Sequence, residues 1–334
     1  MHHFWDFVIR PVLEVAAPRV VVEIGALTGD GTKPLLELCR ELDAVAHVID
    51  PAPELDVAAL GAEHRDRLVF HRQLSLDALP RIGAVDAALI DGDHNWYTVF
   101  HELEALEGAA NASGRSFPIV FLHDVDWPYG RRDLYYDPDS IPSEFRHDYK
   151  RAGMVPGRTR LHPRRGINSQ LANAVVEGGQ RNGVRTAVED FVSATVTELR
   201  VIHVPGMHGL LVLAPEGRLR ASAGLAEAIA ELSSPQFLLN HCQRLEEYRL
   251  VGLMRGTRLK QAREQIDTLT RSLRDLESGF ADVRAAVEAS GEVAPDILRK
   301  LAKLERRAAR ASAERGPSSP KRRRPQATPD RPAG

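Results

Sequence analysis

The chain has 334 residues, enough for one large domain with appendages or for two domains. Apolar residues make up 43%, which supplies a core, and 44 basic against 46 acidic residues leave a formal charge of −2, so no global field selects nucleic acid or membrane as partner. Its two cysteines, Cys39 and Cys242, stand far apart, which argues against a disulfide framework and fits a reducing compartment.

No stretch reaches the roughly 18 apolar residues that span a bilayer. The start, Met1 to Asp6, lacks the basic residues and apolar run of a secretion signal. A cytoplasmic location is expected. Composition divides the chain into three zones. Residues 1–216 alternate short apolar runs with amphipathic stretches, as an α/β domain does. Residues 217–310 form a helical arm rich in Ala, Leu, Glu and Arg. Residues 311–334 are Pro, Ser, Arg and Lys without apolar periodicity, a disordered basic tail.

In chain order, Arg19 to Gly25 reads as a buried strand and Thr32 to Leu42 as a helix. Ala46 to Asp50, Arg67 to Phe70 and Ala87 to Asp91 read as strands two to four. Residues 95–107 are helical, and Pro118 to Asp124 is a fifth strand. Thr186 to Glu198 reads as a helix. Leu199 to Val204 and Gly209 to Leu213, joined across Pro205-Gly206-Met207-His208, form a closing hairpin. Strands that are near-continuous apolar runs, alternating with helices, predict a mainly parallel sheet.

The first strand runs into Glu23-Ile24-Gly25-Ala26-Leu27-Thr28-Gly29-Asp30-Gly31-Thr32. Its glycines allow a tight turn and close approach of a ligand. Asp50, 25 residues beyond Gly25, ends strand two, where a carboxylate can accept both ribose hydroxyls of an adenosine. The same residues also suit an ordinary strand-to-helix turn with a solvated acid. The spacing is not Gly-x-Gly-x-x-Gly, which counts against a nicotinamide-dependent oxidoreductase. Glu23 counts against it too. A buried acid at the turn is costly beside a pyrophosphate but suits S-adenosylmethionine, whose ammonium and sulfonium are positive.

These segments, with Val48-Ile49-Asp50-Pro51 and Ile90-Asp91-Gly92-Asp93-His94, resemble class I S-adenosylmethionine-dependent methyltransferases, most of all methyltransferase family 24. The resemblance covers residues 4–214. It implies an α/β Rossmann-like sheet, mainly parallel, with an antiparallel closing strand, followed by the helical arm. It implies that Gly25 and its neighbours Ala26, Thr28 and Gly29 hold the methionine part, Asp50 the ribose, and the loop at Ser75 the adenine.

Asp91, Asp93, His94, His123 and Asp124 fall at the ends of strands four and five, which are adjacent in such a sheet. Asp91 and Asp124 can share a hard divalent cation such as Mg²⁺, which would orient an acceptor hydroxyl and lower its pKa. His94 is placed to take the hydroxyl proton as general base. The pattern is similar to metal-dependent sugar O-methyltransferases, with a departure at His123, where that group has an acid. Histidine is a softer ligand, which bears on metal identity and need. Asp93 and His94 also suit simple caps of the following helix. The expected activity is O-methylation of a sugar, glycan or glycosylated metabolite. A non-catalytic assembly protein with a degenerate domain is the alternative of a different class.

Between Val125 and Gly183 the alternation breaks, and residues 125–183 are expected to form a substrate lid. Trp127, Tyr129, Arg131, Arg132 and Tyr135 supply aromatic faces and guanidinium groups for a polar ring-bearing substrate, or else pack the loop on itself. In the arm, Leu259, Ala262, Ile266, Leu269, Leu273, Leu276, Phe280, Val283 and Val287 alternate spacings of three and four. That heptad seam over 259–287 predicts a coiled coil and a homo-oligomer, with an intramolecular helical hairpin as the alternative. Gly291 and Pro295 are its expected stop. The cluster Lys321-Arg322-Arg323-Arg324 reads as a solvated tail rather than a nucleic-acid site.

Overall fold

The apolar runs become strands of one sheet because each places alternate side chains into two different cores. The computed structural model describes residues 1–290 and 295–313. Two compact units follow one another, Met1–Leu245 and the chain from Glu246 onward.

In the first unit, single helical turns at His2–Phe4 and Trp5–Ile9 lead into α1 (Arg10–Ala16). Then follow β1 (Val20–Ile24), α2 (Thr32–Leu42), β2 (Val45–Ile49), α3 (Val57–Glu63), β3 (Leu68–His71), α4 (Ser75–Ile82), β4 (Ala87–Ile90), α5 (Trp96–Ala112) and β5 (Ile119–His123). The segment expected to be an irregular lid holds β6 (Leu134–Tyr135), β7 (Tyr149–Arg151) and β8 (Ala172–Ala174). The chain closes with α6 (Val184–Ala194), β9 (Leu199–Val204), β10 (Leu210–Pro215), α7 (Glu216–Ala221), α8 (Ala223–Glu231) and α9 (Pro235–Ser290).

The main sheet has the order β3-β2-β1-β4-β5-β10-β9. β1 to β5 are parallel, and β10 is antiparallel to both its neighbours. This is the expected Rossmann-like, mainly parallel sheet with an antiparallel closing strand. Val21, Ala87, Leu89, Phe121 and Val212 point to the face covered by α1, α2 and α8. Val22, Ala88, Ile90, Val120 and Leu211 point to the face covered by α4, α5 and α6. Strand periodicity of two thus feeds both cores, and helices on each face keep the parallel strands dry.

The insertion is a small three-stranded antiparallel sheet, ordered β6-β8-β7, not a plain loop. Buried Asp133 ties it down: its carboxylate accepts the Trp96 N–H at 2.8 Å, the Gly183 N–H at 2.6 Å and the Tyr135 hydroxyl at 2.8 Å. One acid therefore joins the start of α5, the lid and the entry to α6.

The domain boundary expected near residue 216 lies later. Leu219 of α7, Leu225 and Ile229 of α8 and Phe237 of α9 are buried in the same core as Val12 and Leu13 of α1. His241, also buried, donates from Nε2 to the Pro205 carbonyl at 2.6 Å. The apolar faces of α7 and α8 are short, and they gain cover only by folding back, so these helices belong to the first unit. The second unit holds the rest of α9 and α10 (Pro295–Ala313). Gly291 and the basic tail lie outside the described residues. Among the described residues, no helix is long and apolar enough to cross a membrane.

Phe121 is fully buried at the centre of the sheet. Phe121→Ala should lower unfolding stability by about 3–5 kcal/mol through lost transfer energy and an unfilled cavity. Urea denaturation followed by circular dichroism checks it; a loss under about 1 kcal/mol would mean the core there collapses around the gap.

Candidate active site

Strand register assembles the site. Ile24 pairs with Ile49 and with Ile90, and Ile90 pairs with Leu122. The next residue of each strand is Gly25, Asp50, Asp91 and His123, so these four stand in one row at the carboxyl edge of the sheet. A cavity of about 760 Å³ opens there, lined among others by Glu23, Gly25, Asp50, Ser75, Asp91, His94, His123, Asp124 and Tyr136. It sits where an open α/β sheet holds its ligand.

At one end, Gly25 has φ +90°, and a Cβ on it would lie 2.3 Å from the Asp91 carbonyl oxygen. Only glycine fits both the backbone turn and that close strand contact. Asp50 is buried and accepts three N–H groups, from Ala26 at 3.0 Å and Leu27 at 2.8 Å on Oδ2, and from Ala52 at 2.8 Å on Oδ1. It shapes the turn after β1 as well as facing the cavity. Ala26 and Thr28 line the cavity. Gly29 does not; at φ +83° it turns the chain, donating to Ala26 at 2.7 Å and accepting from Lys33 at 3.1 Å. Ser75, the first residue of α4, is buried on the cavity wall.

Glu23 is buried behind the turn and accepts the Thr32 hydroxyl at 2.6 Å. Burial pushes its pKa up to about 7, against the opposing pull of the Thr32 hydrogen bond. Burial thus favours the protonated form, and a cation arriving beside it would draw the proton off.

At the other end, His94, the residue before the Asn95 cap of α5, places Nε2 2.7 Å from Asp124 Oδ2. His123 places Nδ1 2.9 Å from both Asp91 Oδ1 and Asp124 Oδ2. Its Nε2 lies 2.9 Å from the Met207 carbonyl, an acceptor only, so that nitrogen carries the proton. The terminal ammonium of Met1 also meets Asp91, at 2.6 Å. Burial alone would raise both carboxylic acids. The charge and hydrogen bond of His123 outweigh it for Asp91, and the charges and hydrogen bonds of His94 and His123 for Asp124, which is held well below its usual range. Burial would lower His123, but the two carboxylates lift it to about 9. For His94, Asp124 likewise overcomes burial and the pKa is raised.

Asp91, His123 and Asp124 offer three ligand atoms within 4.8 Å of one another, the only such group among the described residues. With Nε2 committed to Met207, Nδ1 carries a second proton shared with the two carboxylates, and a divalent cation would take that proton's place between them. Two carboxylates and one imidazole therefore fit a divalent cation. Asp93 turns away from this group: its carboxylate accepts the Thr98 hydroxyl at 3.0 Å. It also lines the cavity, while the cap of α5 is Asn95, whose side chain accepts the Thr98 N–H at 2.8 Å.

The residues proposed to grip substrate are placed otherwise. Arg131 forms a fork to Glu189 at 2.6 and 2.7 Å. Arg132 is buried, its guanidinium donating to the carbonyls of Ala174 and Thr159. Tyr135 is buried on Asp133, and Trp127 packs with Tyr129, Leu134 and Met154. None of these four lines the cavity; Arg132, Tyr135 and Trp127 pack the small sheet, and Arg131 ties the insertion to α6. Tyr129 is also buried, its hydroxyl held by Asn168 at 2.8 Å, but its ring meets the His94 ring edge-on at 5.2 Å. Tyr136, Asp137 and Ser140 line the cavity instead. Leu134 and Tyr135 of β6 are both buried, and Tyr136, the residue after the strand, is 56% exposed on the cavity side. Aromatic content alone does not tell which of Tyr135 and Tyr136 faces a ligand.

Glu102 carried no signal in the sequence. It lies on α5, completely buried, with neither carboxyl oxygen hydrogen-bonded, and desolvation pushes it to about 8. An acid with a raised folded-state pKa favours folding below its unfolded value and loses that contribution as pH rises through the folded one.

Residues 22–125 match methyltransferase family 24, described as a methyltransferase domain. The matched segment is about a third of the chain. The match spans β1 to the end of β5, the strands that supply Glu23, Gly25, Asp50, Asp91 and Asp124. No curated protein matches the chain. Among solved structures, it is similar to a 1,6-didemethyltoxoflavin-N1-methyltransferase of Burkholderia thailandensis at 16% identity, over 61% of this chain and 75% of that one, with a TM-score of 0.33. A putative caffeoyl-CoA O-methyltransferase of Staphylococcus aureus is 12% identical over 62% of this chain and 80% of that one, TM-score 0.35. At these values the likeness carries no weight beside the strand order itself.

Two measurements probe the buried acids. Affinity for S-adenosylmethionine, measured by calorimetry, should rise between pH 6 and pH 8 as Glu23 ionises, and Glu23→Gln should flatten the rise. A pH-independent affinity in the unaltered protein would show that no cation meets Glu23. Thermal stability should fall between pH 5 and pH 8.5, and Glu102→Gln should remove part of that fall. An unchanged slope would place the titration elsewhere.

Proposed function

We propose that the protein is an S-adenosylmethionine-dependent O-methyltransferase acting on a hydroxyl of a sugar, glycan or glycosylated metabolite, with His94 as general base and a divalent cation at Asp91, Asp124 and His123. The observation that carries this reading is one shared cavity: Glu23, Gly25, Asp50, Asp91, His94 and Asp124 all line it. A donor-binding end and an acid–base end meet there without a partition.

S-adenosylmethionine is a substrate of this reaction. Gly25 lets the turn approach it closely, Asp50 has one lone pair left, on Oδ1, for a ribose hydroxyl, and Ser75 faces the adenine. Glu23 favours a cationic ligand over its neutral product, which lacks the sulfonium charge. The acceptor oxygen attacks the methyl carbon, the carbon–sulfur bond breaks, and S-adenosylhomocysteine leaves. The hydroxyl proton goes to His94.

In His94, Nε2–H donates to Asp124, which leaves Nδ1 without a protein partner; that atom is buried beside the Tyr129 and Tyr136 rings, so an acceptor hydroxyl reaches it only when one of these rings moves aside. Asp124 holds the ring and stabilises the imidazolium once the proton arrives. A base of this kind serves a hydroxyl nucleophile. When bound, a divalent cation would orient the acceptor oxygens and lower the hydroxyl pKa. Tyr136, half-exposed over the cavity with its ring 5.9 Å from that of His94, offers a flat apolar face to a sugar ring.

Wild-type protein should bind S-adenosylhomocysteine at micromolar affinity or tighter; calorimetry showing none would end the reading. His94→Ala should cut the methylation rate by about 10²- to 10⁴-fold with product affinity retained. Turnover near normal in that variant would remove His94 as base. Full turnover in excess EDTA would remove the cation and leave the rest standing.

A further inference from the structure

The second unit exposes an apolar row that the first unit's chemistry does not use. Within α9, the seven-residue repeat places Leu259, Ile266, Leu273, Phe280 and Val287 in one row and Ala262, Leu269, Leu276 and Val283 in the other. Leu259, Ile266, Leu269, Leu276 and Val283 are 50–72% exposed, while Leu273, Phe280 and Val287 are half-buried. A long helix with such a stripe open to water is marginal without a partner. With α10 present, Leu269, Leu276 and Val283 remain 50–56% exposed, as do Ile297 and Leu304 of α10 at 49% and 43%.

We propose that a second copy of this chain covers the stripe, in an antiparallel two-helix coiled coil centred near Arg271. The sequence selects this direction and register by size and by charge. In an antiparallel pair, residues of one row meet residues of the other. Leu269 then faces Leu273 of the second copy, Ile266 faces Leu276, Ala262 faces Phe280, and Leu259 faces Val283. Each contact occurs twice, which makes eight core layers over roughly 36 Å of helix. The smallest residue of the seam meets the largest, so each layer fills.

The flanking positions agree. Arg263 falls beside Glu277 of the second copy, and Glu277 beside its Arg263. On the opposite flank Ser272 meets Ser272, and Gln265 meets Gly279, with no like charges in contact. Sliding the helices one repeat apart in one direction sets Arg263 against Arg284; in the other it puts Phe280 opposite the charged Arg255. A parallel pair stacks Phe280 on Phe280 and Ala262 on Ala262, one layer overfilled and one hollow. It also brings Gln265 to Thr270, Ser272 to Glu277 and Gly279 to Arg284, none of them an opposite-charge pair.

The inference stands apart from the methylation chemistry and is tested on the full chain. Sedimentation equilibrium should give twice the chain mass at micromolar concentration; a monomer, or any other stoichiometry, overturns it. Direction is read by cross-linking Leu259→Cys/Val283→Cys in a Cys242→Ser background, Cys39 being buried. Positions 259 and 283 lie far apart on one helix, so a 259–283 disulfide joins two copies in the proposed sense. Disulfides of 259 with 259 and 283 with 283 would mean a parallel pair and overturn it. Arg263→Glu should weaken the dimer roughly tenfold by turning two attractive contacts repulsive. Adding Glu277→Arg should restore it. An unchanged dissociation constant in Arg263→Glu overturns the register.

Discussion

Parallel pairing of β1, β2, β4 and β5 is the constraint on which this molecule turns. Because Ile24, Ile49, Ile90 and Leu122 are held level by backbone hydrogen bonds, the residues that follow them emerge side by side. Residues 25, 50, 91 and 123 are scattered over about a hundred positions of chain, yet form one row. A slip of one residue in any of these strands would also turn its core side chains to the wrong face, so the cores of both sides protect the row.

Electrostatics at that row is a balance of large opposed effects. Burial makes every charge expensive, and the site contains two carboxylates and two imidazoles within hydrogen-bonding distance of each other. The pairing of His94 with Asp124, and of His123 with both acids, is what makes the group tolerable. Glu23 and Glu102 have no cationic partner and respond in the only other way open to them, by holding their protons near neutrality. Buried acids of one small region thus divide according to what faces them, those beside the histidines lowered and Glu23 and Glu102 raised.

The lid shows how a segment rich in polar and aromatic residues can be mostly architecture. Asp133, Arg132, Tyr135 and Asn173 are buried and saturate backbone groups of short strands that could not otherwise hold together. Only the face carrying Tyr136, Asp137 and Ser140 reaches the cavity. Three strands of two or three residues have little core of their own, so buried polar bonds replace apolar area as the organising force.

Much of this was legible in the amino-acid sequence alone. Apolar runs in alternation with helices determined the sheet, its parallel sense and its closing hairpin, because a strand buried on both faces must be apolar throughout. The spacing from Glu23 to Gly25, Asp50, Asp91 and His94 marked the cavity, since strand ends in such a sheet have one place to go. Local pattern could not decide which way Tyr135 and Tyr136 face, that Arg131 and Arg132 bind Glu189 and main-chain carbonyls, or that α7 and α8 fold back upon α1. Those depend on contacts between residues far apart in the chain. Glu102 is the plainest case: on a helix it reads as one more solvated acid, and only the packing of α4 against α5 takes the water away.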